Sequence, residues 1–286
     1  MEFIIIILIV LATSKVTLQG IYSRKYITDF SDSICFNGII YFFASLVFSF
    51  ALKCSPQVIP FAFVFGVLTV LFQLFYIQAM SCGNLSLTVL IVNSGMIIPI
   101  IVSAVFFKEQ FGVFRIAGII TILFSISLSV NKKTVKSKLK WFLLSVTCFL
   151  TNGCLSVCQQ LFGKTALRNE GISFVAWSYL FATVISFVLY IIILKCKCKK
   201  VAVGIKPGAW IYGLCVGVIL GTFQILNTKA IAALDAGLLF PIYNSGTLIL
   251  TTISGVFLFK DKLTRKLILK YVRSHLRENL AMTSPL

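Results

Sequence analysis

The chain has 286 residues, of which 59% are hydrophobic and 12% are charged. A soluble domain of this size could not cover so much apolar surface, so the composition excludes a water-soluble fold and predicts extensive contact with membrane lipid. The net charge of +18 does not indicate nucleic acid, because the basic residues lie between apolar stretches, where they act as topology signals and contact anionic lipid.

Apolar stretches of helical length follow one another along the chain. A helix needs about 20 apolar residues to cross about 30 Å of hydrocarbon, and these stretches do not alternate polar with apolar residues as barrel strands do. We therefore predict an all-α, polytopic membrane helical bundle. The nine predicted spans are Phe3–Tyr22, Ser33–Leu52, Val58–Met80, Leu85–Phe107, Phe111–Val130, Lys140–Gly163, Ile172–Leu194, Ala209–Ala232 and Ala236–Phe259.

The first span contains a charged residue, Lys15, with Gln19 one helical turn later. Glu2 stands where a signal peptide would carry a basic residue, so we expect the span to be retained. A buried ammonium facing a cavity would attract a carboxylate or phosphate group, or carry a proton. The alternative is that the flexible lysine chain extends to the membrane interface near Arg24.

The chain contains an internal repeat. Residues 62–107 match residues 213–258, 151 positions later, without a gap, and 14 of the 46 aligned positions are identical. Shared apolar residues arise easily in membrane segments, but shared Gln, Asn, Ser and Gly residues do not. Because five spans is an odd number, the second copy must enter the membrane upside down, which predicts two inverted five-helix repeats. The identical polar and small positions include Gly66/Gly217, Gln73/Gln224, Asn93/Asn244, Ser94/Ser245 and Gly95/Gly246.

The predicted domains are a first repeat over residues 1–130, a second over 140–262 with four clear spans, and a tail over 263–286. By symmetry a tenth span should follow Lys262, but each charge at the bilayer centre costs about 2.5–3.5 kcal/mol, and the tail is too charged to cross. The tenth helix is therefore missing or degenerate. The tail is either a basic amphipathic surface helix or the product of a disrupted or truncated gene end.

Lysine and arginine are concentrated in the loops that follow the odd-numbered spans. The positive-inside rule therefore places residues 132–140 and 195–206 in the cytoplasm, with the N-terminus outside.

Polar side chains within the spans form the candidate binding site. Amides and hydroxyls both donate and accept hydrogen bonds, which suits a polar, uncharged or zwitterionic solute. The alternative is that they join helices together, at about 0.6–2 kcal/mol per contact. The candidate substrate-binding residues are Lys15, Gln19, Gln73, Asn93, Asn152, Gln224 and Asn244.

A short motif after the fourth span, Phe106-Phe107-Lys108-Glu109, is echoed by Phe259-Lys260-Asp261. With the repeat, it resembles the EamA-like transporters of the drug/metabolite transporter superfamily, over residues 1 to about 265. The resemblance implies a cavity lined by spans one, three, four, six, eight and nine, and export or exchange of small metabolites. It also implies a cytoplasmic N-terminus, which conflicts with the distribution of charge, and the missing tenth span departs from the family pattern. Glu109 and Asp261 lie at span ends, where we expect capping or ion pairing rather than proton transport.

We predict a permease that moves small polar metabolites, such as amino acids or drugs, by alternating access in a bacterial plasma membrane. The rival is a membrane scaffold without transport, or an inactive truncated remnant. An enzyme is not expected, because a lone histidine in the tail provides no catalytic cluster. No cofactor is expected, and the nine cysteines lack zinc-ligand spacing. The oligomeric state is left open, a homodimer included.

Overall fold

The computed structural model describes residues 2–51, 56–107, 139–165, 167–196, 205–233 and 236–259. Within these ranges all the regular structure is helical and there is no strand, which confirms the predicted all-α bundle. The fifth predicted span, the tail, Glu109 and Asp261 lie outside the described residues. The α-helices are α1 Glu2–Tyr26, α2 Phe30–Val47, α3 Ile59–Cys82, α4 Leu85–Asn93, α5 Ile97–Phe107, α6 Leu139–Gly163, α7 Gly171–Cys196, α8 Ala209–Ala233 and α9 Ala236–Phe259.

Six described helices, namely α1, α2, α3, α6, α7 and α8, are long and apolar enough to cross a membrane. Their side chains turned away from the bundle are large and apolar, as a helix in contact with lipid requires. The protein is therefore an integral membrane protein. The fourth predicted span is divided between α4 and α5, and the ninth corresponds to α9, which is strongly apolar over Gly246–Leu258.

The division of span four has a cause in its sequence. Pro99 has no backbone N–H, so the carbonyl of Gly95, four residues earlier, loses its helical donor. A 3-10 turn, Ser94–Met96, lies at this point, and the Ser94 hydroxyl donates to the carbonyl oxygen of Leu90 at 2.7 Å. In span nine, by contrast, α9 continues through Pro241 without a break.

Helices α1 and α6 cross the bundle in opposite directions. Arg24, near the end of α1, donates to the carbonyl oxygen of Gly83, the residue after α3, at 2.8 Å. Trp141, in the first turn of α6, lies against the same Gly83. The end of α1 and the beginning of α6 therefore lie at one face of the bundle. We call it the basic face, because Lys140, Lys195 and Lys206 flank the helix ends there.

Spans one to four correspond in order to spans six to nine. When each helix of a contacting pair is replaced by its counterpart in the other repeat, the new pair is also in contact. Helix α3 packs against α6 as α1 packs against α8, and α2 packs against α8 as α3 packs against α7. Helices α4 and α5 pack against α6 as α9 packs against α1. A pseudo-two-fold axis in the membrane plane produces this pattern of contacts.

The repeated glycines Gly66 and Gly217 have equivalent surroundings in the two halves. A Cβ atom added to either glycine would meet a carbonyl oxygen, then the Cβ three residues later and the amide nitrogen four residues later. For Gly66 these atoms belong to Ser178, Phe181 and Ala182 of α7, at 2.9, 3.1 and 3.5 Å, and for Gly217 to Ile40, Phe43 and Ala44 of α2, at 2.5, 2.7 and 3.1 Å.

These contacts reveal a second repeat, between α2 and α7, with a shift of 138 positions (178 − 40). The rings of the equivalent residues Tyr41 and Tyr179 have centroids 5.4 Å apart. A residue that touches its own equivalent lies beside a two-fold axis, so the centre of the α2–α7 contact marks that axis. Identical pairs at this register are Ile34/Ile172, Phe36/Phe174, Tyr41/Tyr179, Phe43/Phe181 and Ala44/Ala182.

Two aromatic clusters at opposite ends of the bundle are also equivalent. At the basic face Tyr22 stacks on Phe36, with ring centroids 4.0 Å apart, and contacts Tyr212 at 5.5 Å. At the other face an all-phenylalanine cluster repeats this arrangement. There Phe162 stacks on Phe174 at 4.2 Å and contacts Phe61 at 6.0 Å.

Candidate solute-binding site

Buried polar atoms without a hydrogen-bond partner in the described part of the chain include several on α1, α3 and α8, besides others on α2. Gln19 and Gln73 are 0% and 1% exposed. Leaving a buried donor or acceptor unsatisfied costs about 1–3 kcal/mol, and the hydrocarbon of a bilayer offers no replacement. We call these atoms the central polar set: both amide atoms of Gln19, the amide nitrogen of Gln73, the amide oxygen of Asn227, and the hydroxyls of Thr13, Thr17 and Thr69.

The central polar set lies on neighbouring helices, because α1 packs against both α3 and α8. Val16 of α1 and Tyr76 of α3 belong to one apolar cluster, against which Leu248 of α9 also packs. At 1.5 Å per residue, Gln73 and Thr69 lie about 14 to 20 Å from the end of α3 at the basic face. The set is therefore near the middle of a bilayer core of about 30 Å.

Lys15 lies within this region and is half-buried. It is one helical turn from Gln19 on the same side of α1, about 16 Å from the end of that helix. No carboxylate of the described residues forms a salt bridge with it. Its ammonium is therefore a positive charge without an ionic partner in that part of the chain, next to an unsatisfied amide.

Asn152 has a structural contact. Its amide nitrogen donates to the carbonyl oxygen of Val92 at 3.0 Å, immediately before the 3-10 turn that interrupts span four. This hydrogen bond satisfies a carbonyl oxygen beside the break, where the regular helical hydrogen bonding is interrupted. Asn93, at the end of α4, is half-buried and adjoins the same interruption.

Amides at equivalent positions of the two repeats are in different surroundings. Gln73 is buried, whereas its equivalent Gln224 is half-buried and has its own interactions. Asn244 lies on α9, but its side chain is outside the described part of the structure. The site is thus better defined on the α1–α3 side than on the α8–α9 side.

The two halves also differ in chemistry at equivalent positions. The equivalent aromatic clusters pair Tyr22 with Phe162, a shift of 140 positions, which aligns Lys15 with Leu155 and Gln19 with Gln159. Helix α1 therefore presents an ammonium where α6 presents an apolar side chain, while both helices carry a glutamine one turn later. The positive charge belongs to the first repeat.

The candidate residues chosen from the sequence omitted four residues of the central polar set, namely Thr13, Thr17, Thr69 and Asn227. For Thr13 and Thr17, a spacing of four residues, one turn apart on α1, was the available signal. Sequence reasoning also missed the meeting of Arg24 and Trp141 at Gly83, which joins residues up to 117 positions apart (141 − 24) and has no counterpart in the second repeat.

The fold and the buried polar residues define a polytopic helical membrane protein with a duplicated architecture and a polar interior. Residues 3–131 match the family model of the EamA-like transporter family. This match confirms the resemblance over these residues and is consistent with the drug/metabolite transporter superfamily. The match indicates a membrane transporter of that type, and the family is generally non-enzymatic.

The fold of nearly the whole chain is also known from a solved structure. A protein of known crystal structure superposes with a TM-score of 0.65 at 13% sequence identity, covering 98% of this chain and 95% of its own. At this identity the likeness concerns the fold alone. No curated protein matches the chain.

Proposed function

We propose that this protein carries a small polar solute across a bacterial plasma membrane by alternating access. The observation that supports this most is the buried amide of Gln19, with both polar atoms unpartnered among the described residues. Together with Gln73 and Asn227 it would provide donors and acceptors to a solute in the middle of the membrane. The exchanged helix contacts support the mechanism, because inverted halves that rock against each other open the two faces in turn.

The solute is proposed to carry an acidic group, in an anion or a zwitterion such as an amino acid. Lys15 supplies a positive charge one turn from Gln19, and no described carboxylate neutralises it. An ammonium in this setting attracts a carboxylate or phosphate more strongly than it would in water, because the surrounding dielectric is low. The amides then bind the remaining polar groups of the solute.

Lys15→Met is expected to reduce uptake of an acidic or zwitterionic solute by about 10- to 100-fold, since hydrogen bonds to charged groups contribute about 1.5–3 kcal/mol. The measurement is uptake into vesicles reconstituted with purified protein, using radiolabelled amino acids, monocarboxylates and neutral nucleobases as probes. Methionine keeps the length of the side chain, so packing is preserved.

The matched control is Lys164→Met, which removes an exposed lysine just beyond the end of α6 and should leave uptake unchanged. An equal loss in both variants would indicate a general effect of charge, and unchanged uptake in Lys15→Met would remove Lys15 from the site. Folded protein that transports none of the probes would favour a scaffold.

A further inference from the structure

Three elements from both halves meet at Gly83, between α3 and α4. The guanidinium of Arg24, from α1, donates to the Gly83 carbonyl oxygen at 2.8 Å. The indole of Trp141, from α6, lies so close to Gly83 that an added Cβ would overlap its ring. The backbone of Gly83 is extended, with φ −137°, a conformation open to any residue. Glycine is therefore needed here for the close approach of Trp141.

Hydrogen bonds fix the Trp141 ring in this position. Its indole nitrogen donates to the Thr88 hydroxyl at 2.8 Å. That hydroxyl in turn donates to the carbonyl oxygen of Asn84 at 2.8 Å, so it both accepts and donates a hydrogen bond. A buried indole whose N–H is satisfied is held in one orientation, and the contact is therefore specific as well as tight.

Trp141 closes the bundle at the basic face. It is 2% exposed, while Leu139 and Leu143 beside it in α6 are each 56% exposed. It packs in one apolar cluster with Ala79 of α3, and Cys148, 0% exposed and two turns further along α6, lies 4.0 Å from the carbonyl oxygen of Phe72 of α3. Along the α3–α6 contact the indole therefore lies between Cys148 and the basic face.

The opposite face has no equivalent of this closure in its sequence. The 151-residue shift aligns Gly83 with Leu234 and Thr88 with Leu239. The shift of 140 that pairs Tyr22 with Phe162 aligns Trp141 with Met1. The packing differs in the same sense, since α1 packs against α3, whereas the equivalent helices α6 and α8 make little contact among the described residues.

We propose that Trp141 seated on Gly83 is a latch that holds the basic face closed, and that closure there is the protein's resting state. The inference rests on the proposed alternating access. Opening the basic face requires the start of α6 to leave Gly83, which breaks the Trp141–Thr88 hydrogen bond and uncovers the path to Cys148. Trp141 is a positioning residue in this scheme and does not contact the solute.

Gly83→Ala tests the latch, because the added methyl group occupies the place of the indole ring. The probe is a membrane-impermeant trimethylammonium methanethiosulfonate added from the basic face, with modification of Cys148 followed by peptide mass spectrometry in the otherwise native chain. A minor conformation is populated at about 0.1–10%, so making it dominant should speed the labelling of Cys148 about tenfold or more.

Two further variants distinguish a latch from general damage. Trp141→Ala should also speed labelling, and adding Gly83→Ala to it should have little further effect, because the methyl group then has no ring to displace. Gly163→Ala, at a helical glycine with nothing within 4 Å of its added Cβ, should label at the wild-type rate. Additive effects of the first two substitutions would overturn the proposal.

The labelling experiment tests the latch and the uptake experiment tests the carrier function, so either proposal can fail without the other. Slow labelling of Cys148 in folded Gly83→Ala, with uptake intact in the wild type, would overturn the latch and leave the carrier function standing. Fast labelling in Gly83→Ala, with no uptake of any probe by the wild type, would overturn the carrier function and leave the closure as a structural fact.

Discussion

Gly66→Leu and Gly217→Leu are each expected to abolish folded protein, and the corresponding alanine variants to destabilise it by about 1–3 kcal/mol. A Cβ on Gly66 would lie 2.9 Å from the Ser178 carbonyl oxygen, and one on Gly217 would lie 2.5 Å from the Ile40 carbonyl oxygen. Backbone atoms cannot rotate away as a side chain can, so the paired helices must separate.

The higher helix propensity of alanine opposes this destabilisation, so a control variant must measure it separately. Alanine in place of glycine favours a helix by about 1 kcal/mol. Gly163→Ala, which meets no neighbouring atom within 4 Å, should therefore be neutral or slightly stabilising. The measurement is the fraction of monodisperse protein left in detergent after heating, compared among the three alanine variants.

The equivalence of the two glycines makes a stricter claim. Because Gly66 and Gly217 meet the same three atom types in the same order, Gly66→Ala and Gly217→Ala should lose stability by similar amounts, with Gly217→Ala losing more because its contacts are shorter. A loss in only one of them would show that the duplicated sequence does not make an equivalent contribution to stability.

The sequence was informative wherever one helix could be judged by itself. Hydropathy located α3, α6, α8 and α9 to within about two residues, because crossing lipid imposes length and composition locally. Pro99 explains the interruption of span four for a similarly local reason. The repeat between residues 62–107 and 213–258 also predicted which glycines would be equivalent. The domain limits proposed from that repeat remain predictions.

Contacts between distant parts of the chain were not predictable in the same way. The α2–α7 repeat was missed because its shift is 138 rather than 151, and five identities within eleven residues become convincing only after Tyr41 is seen beside Tyr179. The sequence grouped Asn152 with the binding residues, but the interruption of span four provides a structural partner at Val92. An amide that binds solute and one that joins helices have the same sequence signature.

Gln19→Met is expected to leave stability unchanged or improved while reducing solute uptake by about tenfold or more. Both amide atoms of Gln19 are buried and unpartnered among the described residues, so their removal relieves a penalty of about 1–3 kcal/mol. Methionine has nearly the same shape as glutamine and fills the same space. A solute would lose its hydrogen bonds to this amide, and uptake should fall.

Asn37→Leu should show the opposite pattern. Asn37 is also 0% exposed, and its amide oxygen is unpartnered among the described residues. Unlike Gln19, however, it makes a contact between helices, because its amide nitrogen donates to the Ser186 hydroxyl at 3.1 Å and joins α2 to α7. Its removal should cost about 0.6–2 kcal/mol, as for other hydrogen bonds between membrane helices. Uptake per folded molecule should stay close to the wild-type value, because Asn37 lies in the α2–α7 contact and outside the central polar set.

The two variants together test whether the buried amide of α1 binds solute. Heating in detergent measures stability, and uptake into vesicles, normalised to folded protein, measures transport. A carrier site predicts that Gln19→Met loses uptake without losing stability, because a binding group is held unsatisfied until the solute arrives. If Gln19→Met instead lowers stability and retains uptake, Gln19 joins helices as Asn37 does, and the solute must be bound elsewhere.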